Sequence, residues 1–390
     1  MTRDSASWDR GSRTPLALLI VALVGGAAPA PVQSQDGPAL ERHLVIGEGS
    51  AVDGPTFTMI SAMELGPDER ELYVADRSGI RIFDLEGTLL RALPLVGPGP
   101  GQAQLPLQIH LTRDRLSLMD GADGTLSWFS LEGAFQGRRR LSSFEVEESR
   151  HTQAPRPVRH DQWVIRTSPV TGTGIRAPVD RYSRDFLLDP SGERLRELGA
   201  YHVGRGYYVW ADRPDDTFGS RLEYGGSGGH ASILGDSMYV HADGYLGIVS
   251  WHLIDEREVR LIRRRELGWE PEPFPMSAES VKVALAQERG VPVSEVTEVV
   301  LPEFMGLVEG MVLARDGSAW LRRRLPPQAA ALTGSAPGDY IVVPFDPGEP
   351  VGEVRLPPGF SPRIIWDDLV AGVLREPSGR QLVVIYRWKS

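Results

Sequence analysis

Residues 65–88 read Leu-Gly-Pro-Asp-Glu-Arg-Glu-Leu-Tyr-Val-Ala-Asp-Arg-Ser-Gly-Ile-Arg-Ile-Phe-Asp-Leu-Glu-Gly-Thr. A β-forming run ends at Ala75-Asp76, and Ser78-Gly79 turns the chain. A second run ends at Phe83-Asp84, and Glu86-Gly87 turns it again. The pattern recurs downstream. Leu116-Ser-Leu-Met-Asp120 repeats Leu72-Tyr-Val-Ala-Asp76, and Leu131-Glu-Gly133 repeats Leu85-Glu-Gly87. Two separate turns fall in register, so the match is a structural repeat. Short antiparallel strands repeating at this period are the mark of a β-propeller blade.

Six units fit the chain, each with strands A to D counted outward from a central channel. Blade one spans Thr56–Leu95 and blade two Leu105–Leu141. Blade three centres on Gln162–Arg166 and Tyr182–Asp189. Blade four spans His230–Leu267, blade five Gly310–Leu356 and blade six Pro362–Trp388. The sixth stops one strand short. The segment Glu41–Ile46 is expected to pair with Leu382–Trp388, closing the ring and removing an open sheet edge. The fold class is therefore all-β: a six-bladed propeller of four-stranded antiparallel blades, closed by an N-terminal strand, with one helical insertion. That insertion runs from Ala278 to Arg289, with Ser277 placed to cap it, Gly290 to end it and Pro292 beyond. Val281, Ala284, Leu285 and Glu288 form a short amphipathic face.

The long connections Ser142–Pro157, Tyr207–Gly229 and Phe274–Pro302 all run from a D strand to the next A strand. In a propeller these links share one face with the B–C turns. That face is decorated, and long loops on a rigid scaffold are where binding concentrates.

Arg10 and Arg13 precede an apolar run, Leu16–Val24, and then Gly25-Gly26-Ala27-Ala28-Pro29-Ala30. This order is that of a secretory signal peptide, residues 1–34, leaving 35–390 as the propeller domain. The apolar run is short for a membrane span. The alternative is an uncleaved anchor; either reading puts the folded part outside the cytoplasm, secreted or periplasmic. The net charge of −10 opposes a nucleic-acid surface. With no cysteine there are no disulfides and no thiolate chemistry. A monomer with no membrane span after processing is expected.

Tyr73-Val-Ala-Asp76, Arg81-Ile-Phe-Asp84, Gly87 and the Gly97–Pro106 run resemble the NHL repeat. Asp316-Gly-Ser-Ala-Trp-Leu-Arg322, Tyr340–Asp346, Val351–Pro357 and Ile385-Tyr-Arg-Trp388 are similar to a broader group of secreted bacterial six-bladed propellers. The resemblance implies a fold and an exported setting, and little about chemistry.

The B–C turns carry Asp76 with Arg77, Asp120, Arg166, His241 with Asp243, Arg322 with Arg323, and Arg375 toward one channel mouth. A guanidinium fork suits a carboxylate, phosphate or sulfated sugar. The competing expectation is that the aspartates cap turns and the arginines pair with acids. The blade-three connection adds Tyr207, Tyr208, Trp210, Phe218 and Tyr224 among acids, a pattern that lines a sugar or peptide pocket or simply packs a loop. The ligand-binding candidates are thus Arg77, Arg166, Tyr208, Trp210, His241, Arg322 and Arg375. His110, His160 and His230 fall in or beside inner strands, but at different levels, so no metal site and no cofactor are expected. The leading expectation is a non-catalytic scaffold that binds a protein segment, a glycan or a small polar or acidic ligand through the decorated face. The alternative is a metal-dependent hydrolase or lyase resembling gluconolactonase-like propellers, whose channel metal is held by Glu, Asn and Asp; this chain contains no Asn. A third is a purely structural propeller.

Overall fold

The computed structural model describes residues 40–47, 57–97, 99, 102–120, 124–140, 149–151, 156–158, 162–169, 181–189, 191, 193–203, 207–213, 216–220, 229–244, 246–255, 258–269, 272–273, 277–300, 304–323 and 339–388. The signal-peptide reading of residues 1–34 falls outside them.

Six antiparallel blades form a ring. Blade one runs Ala62–Leu65, Glu71–Asp76, Gly79–Asp84 and Leu89–Leu93. The other inner strands are Pro106–Leu111 in blade two, Gly229–Leu234 in blade four, Val308–Leu313 in blade five and Phe360–Trp366 in blade six. Blade three differs. Its inner strand is split into Ser149–His151 and Arg156–Pro157, both paired with Trp163–Pro169. Part of the stretch assigned to a link therefore belongs to the sheet.

Strand B of each blade is buried on both faces, which is why Leu72-Tyr-Val-Ala75 reads as a continuous apolar run. Alternation sends Leu72 and Val74 against Ala371, Val383 and Ile385 of blade six. It sends Tyr73 and Ala75 against Ile109, Leu116 and Leu118 of blade two. The same division repeats around the ring, giving one apolar cluster per blade interface. Asp76 fixes its turn by accepting hydrogen bonds from the Ser78 N–H (2.8 Å) and hydroxyl (2.6 Å). Gly79 sits at φ 139°, where a Cβ would lie 2.6 Å from the Leu93 carbonyl oxygen.

The ring closes as expected. Leu40–Ile46 pairs antiparallel with Gln381–Trp388 and supplies the outer strand of blade six. The Gln381 side chain accepts a 2.5 Å hydrogen bond from the Ile60 N–H, and Arg380 bonds the Gly47 carbonyl.

The helix spans Ala278–Arg289, with Ser277 accepting from the Ser280 N–H and Gly290 in the left-handed conformation. It buries Val281 and Ala286; of the face read from the sequence, Val281 is buried and Ala284 half-buried, and the side chains of Leu285 and Glu288 lie outside the described residues. No helix among the described residues is long and apolar enough to cross a membrane. The two links flanking blade four join each other. Tyr207–Arg213 pairs with Asp216–Ser220 on one side and with Val296–Val300, just beyond the helix, on the other. These segments are therefore one small sheet and not independent loops.

Candidate functional site

Every blade's inner strand contributes to a central channel of about 980 Å³. Its lining includes Gly66 and Pro67, Thr112–Arg115, Leu234–Ser237 and Arg315. These residues belong to A–B turns, so the mouth lies opposite the decorated face. The channel also reaches Ser117, Met119 and Leu126 of blade two.

Among the described residues, the inner strands bring three Arg or Glu side chains to the lining, Glu64, Arg156 and Arg363. Glu64 of blade one leans along the inner edge of blade two. It accepts from His110 Nδ1 at 3.2 Å and from the Leu111 N–H at 3.4 Å. That carboxylate holds the Nδ1–H form of the ring. Ser117 is the cross-strand partner of His110 and is buried, and its Oγ meets no hydrogen-bond partner among the described residues. Arg156 of blade three donates to Ser232 Oγ of blade four at 3.0 Å. Burial pushes its guanidinium below the ordinary arginine range, and Glu64 acts in the opposite sense. Arg363 of blade six occupies a β-bulge, between Pro362 opposite Gly372 and Ile364 opposite Ala371. Bulges re-aim side chains. Its side chain is exposed to the channel, while nearby protein draws its pKa down and Tyr340 opposes that shift. No hydrogen bond or acidic partner reaches Arg363 among the described residues.

The residues expected at the other mouth differ in their surroundings. Arg77 is exposed in the first B–C turn, and Arg375 is exposed at the end of its strand. Arg322 pairs with Glu309 at 3.4 Å. Arg166 lies within the disk, donating to both Asp185 oxygens (2.9 and 3.1 Å) and to the Ala231 carbonyl (3.2 Å). Tyr239 donates to the same carboxylate at 2.9 Å. His241 stands beside this group, and burial pushes its pKa down to about 4. Asp120 accepts from the Gln104 and Leu105 N–H groups, a structural role. Tyr208 and Trp210 place their backbones in the insertion sheet opposite Val299 and Val296; their side chains lie outside the described residues. His160 does too, and His110 is engaged with Glu64. Among the described residues no three His, Asp or Glu side chains come together as metal ligands.

The sequence reading passed over Glu64, Arg156, Ser232 and Arg363. Their signal is a polar residue within a short inner strand, where the neighbours are Met63 and Leu65, or Pro362 and Ile364.

No protein-family model matches the chain, and no curated protein does. Among solved structures, a protein of Bacteroides fragilis whose name marks it as a candidate exported protein matches with a TM-score of 0.52. The identity is 10%, over 91% of this chain and 98% of that one. A calcium-binding regucalcin from Agrobacterium tumefaciens scores 0.39 at 12% identity, covering 86% of this chain and 93% of the other. A gluconolactonase from Xanthomonas campestris scores 0.39 at 13%, covering 86% and 87%. The first likeness bears on the fold, and the other two carry no argument about this chain.

Proposed function

We propose that this chain is an exported propeller, of the NHL-like type that blade one suggests, acting as a non-catalytic scaffold for a small polar ligand held in the central channel. The signal-peptide pattern of residues 1–34 and the likeness to the Bacteroides protein support export. The observation that carries the binding reading is the channel itself: six inner strands enclose about 980 Å³ and place unlike polar groups on different blades. That volume is at the upper end of ordinary small-molecule sites.

A second reading keeps the decorated face as a docking surface for a protein segment or glycan, with Arg77, Arg322, Arg375, Tyr208 and Trp210 as contacts. The pairing of both links into one sheet favours it, because the sheet gives that face a built surface. The metal-dependent alternative calls for elemental analysis of residues 35–390 purified without chelator; one bound divalent ion per chain would support it.

A thermal-shift screen of small polar compounds separates the two binding readings. It compares wild type with Met311→Trp, which narrows the channel, and with Arg375→Ala on the far face. Hits lost in Met311→Trp and kept in Arg375→Ala support the channel. The reverse pattern overturns it in favour of the decorated face.

A further inference from the structure

We infer that the channel is an anion site, with Arg363 as the primary anchor and Arg156 as its counterpart across the ring. This rests on the channel reading above and names the ligand class: a compact oxyanion, carboxylate or phosphate, on a small molecule. Three observations meet here. The first is charge. Among the described lining residues, five arginines stand against three carboxylates, and those on inner strands are Arg156, Arg363 and Glu64. The described lining is thus net positive in a chain whose net charge is −10.

The second is pairing. Glu64 already serves His110 and the Leu111 N–H, and its field is felt at Arg156. Arg363 receives no acidic partner among the described residues. Arg363 is exposed where it lines the channel, so its guanidinium fork is accessible to an entering oxyanion. The third is shape. Arg363 is the extra residue of a bulge and lines the channel, with the pairing kept on either side. Blades six and three face each other across a six-membered ring, so an anion held by Arg363 has Arg156 opposite. Ser232 Oγ, which can donate while it accepts from Arg156, and the His110 ring are left for the ligand's hydroxyl or amino groups. A planar fork bonds two oxygens at once, which suits both oxyanion types.

The test is isothermal titration of residues 35–390 with inorganic phosphate and, separately, with succinate, at low chloride. Wild type is compared with Arg363→Gln, Arg363→Lys and Arg375→Gln. The expected result is one site per chain for at least one anion. Affinity should fall about tenfold or more in Arg363→Gln, fall less in Arg363→Lys and stay unchanged in Arg375→Gln. The stronger of the two titrants identifies the anion as phosphate or carboxylate. Arg363→Lys keeps the charge and so remains informative should Arg363→Gln fail to fold. Absence of binding by both anions, or binding that Arg363→Gln and Arg363→Lys leave untouched, overturns the inference. The channel reading is scored separately: neutral compounds displaced by Met311→Trp would keep it standing while the anion site falls.

Discussion

His241 shows how burial turns one side chain into a pH-dependent element of stability. Burial pushes its pKa down to about 4, with Asp243 and Asp185 opposing and Arg166 and His252 reinforcing. The unfolded chain binds a proton on this ring near pH 6.5, and the folded chain refuses it until about pH 4. The unfolded state therefore holds more protons across that window. Stability is full above pH 6.5 and declines as the pH falls toward 4, by on the order of 2–3 kcal/mol. Urea unfolding of wild type and His241→Gln at stepped pH measures this. The variant's profile should be flatter across the window; parallel profiles would assign the loss to other groups. The adjacent Arg166–Asp185 pair is a second case. Asp185→Ala strands a buried guanidinium and the Tyr239 hydroxyl, so a loss of about 3–5 kcal/mol is expected. Arg166→Met added to Asp185→Ala should restore part of it. Turn-capping at Asp76 was legible from sequence, because an Asp two residues before a Ser in a turn makes local bonds. The partner of Arg166 was not, since Asp185 is set by strand pairing across a blade.

At the scale of elements, two positions held by small residues differ in weight. Ser277 caps an exposed helix end, and Ser277→Ala should cost about 1 kcal/mol. Gly372 lies inside blade six opposite Pro362, where a Cβ would come within 2.2 Å of the Ser361 carbonyl oxygen. Gly372→Ala forces the two inner strands apart, and a loss of about 3 kcal/mol or more is expected in thermal melts. It also disturbs the bulge that aims Arg363, so anion binding should weaken in whatever fraction folds. Equal melting of the two variants would contradict this contrast. Strand ends were legible to within a few residues because the apolar runs and Gly-containing turns agree. The split inner strand of blade three was not, because two- and three-residue strands leave no periodic signal. The charged residues of the inner strands were also missed: each is a single polar position, visible only once six strands are brought around one axis.

At the scale of the whole molecule, closure depends on a pairing between the two ends of the described chain. Removing residues 35–47 uncovers the Gln381–Trp388 edge and frees Arg380 from Gly47. The truncated protein should melt earlier and self-associate, as sedimentation will show; unchanged melting with a monodisperse profile would mean that the terminal strand is dispensable. This closure was legible because counting strands left one missing. The junction of the two links beside blade four was not, because it pairs residues such as Tyr207 and Val300 that share no local pattern. The same arrangement explains why the decorated face drew attention first. Sequence displays loop length directly, whereas a channel exists only after the ring has closed. The most direct test of the account is a crystal structure of residues 35–390 with the strongest hit from the thermal-shift screen. The account predicts ligand density inside the channel, between the Glu64–His110 pair and Arg363. Density on the face carrying Arg77 and Arg375, with no ligand in the channel, would contradict it.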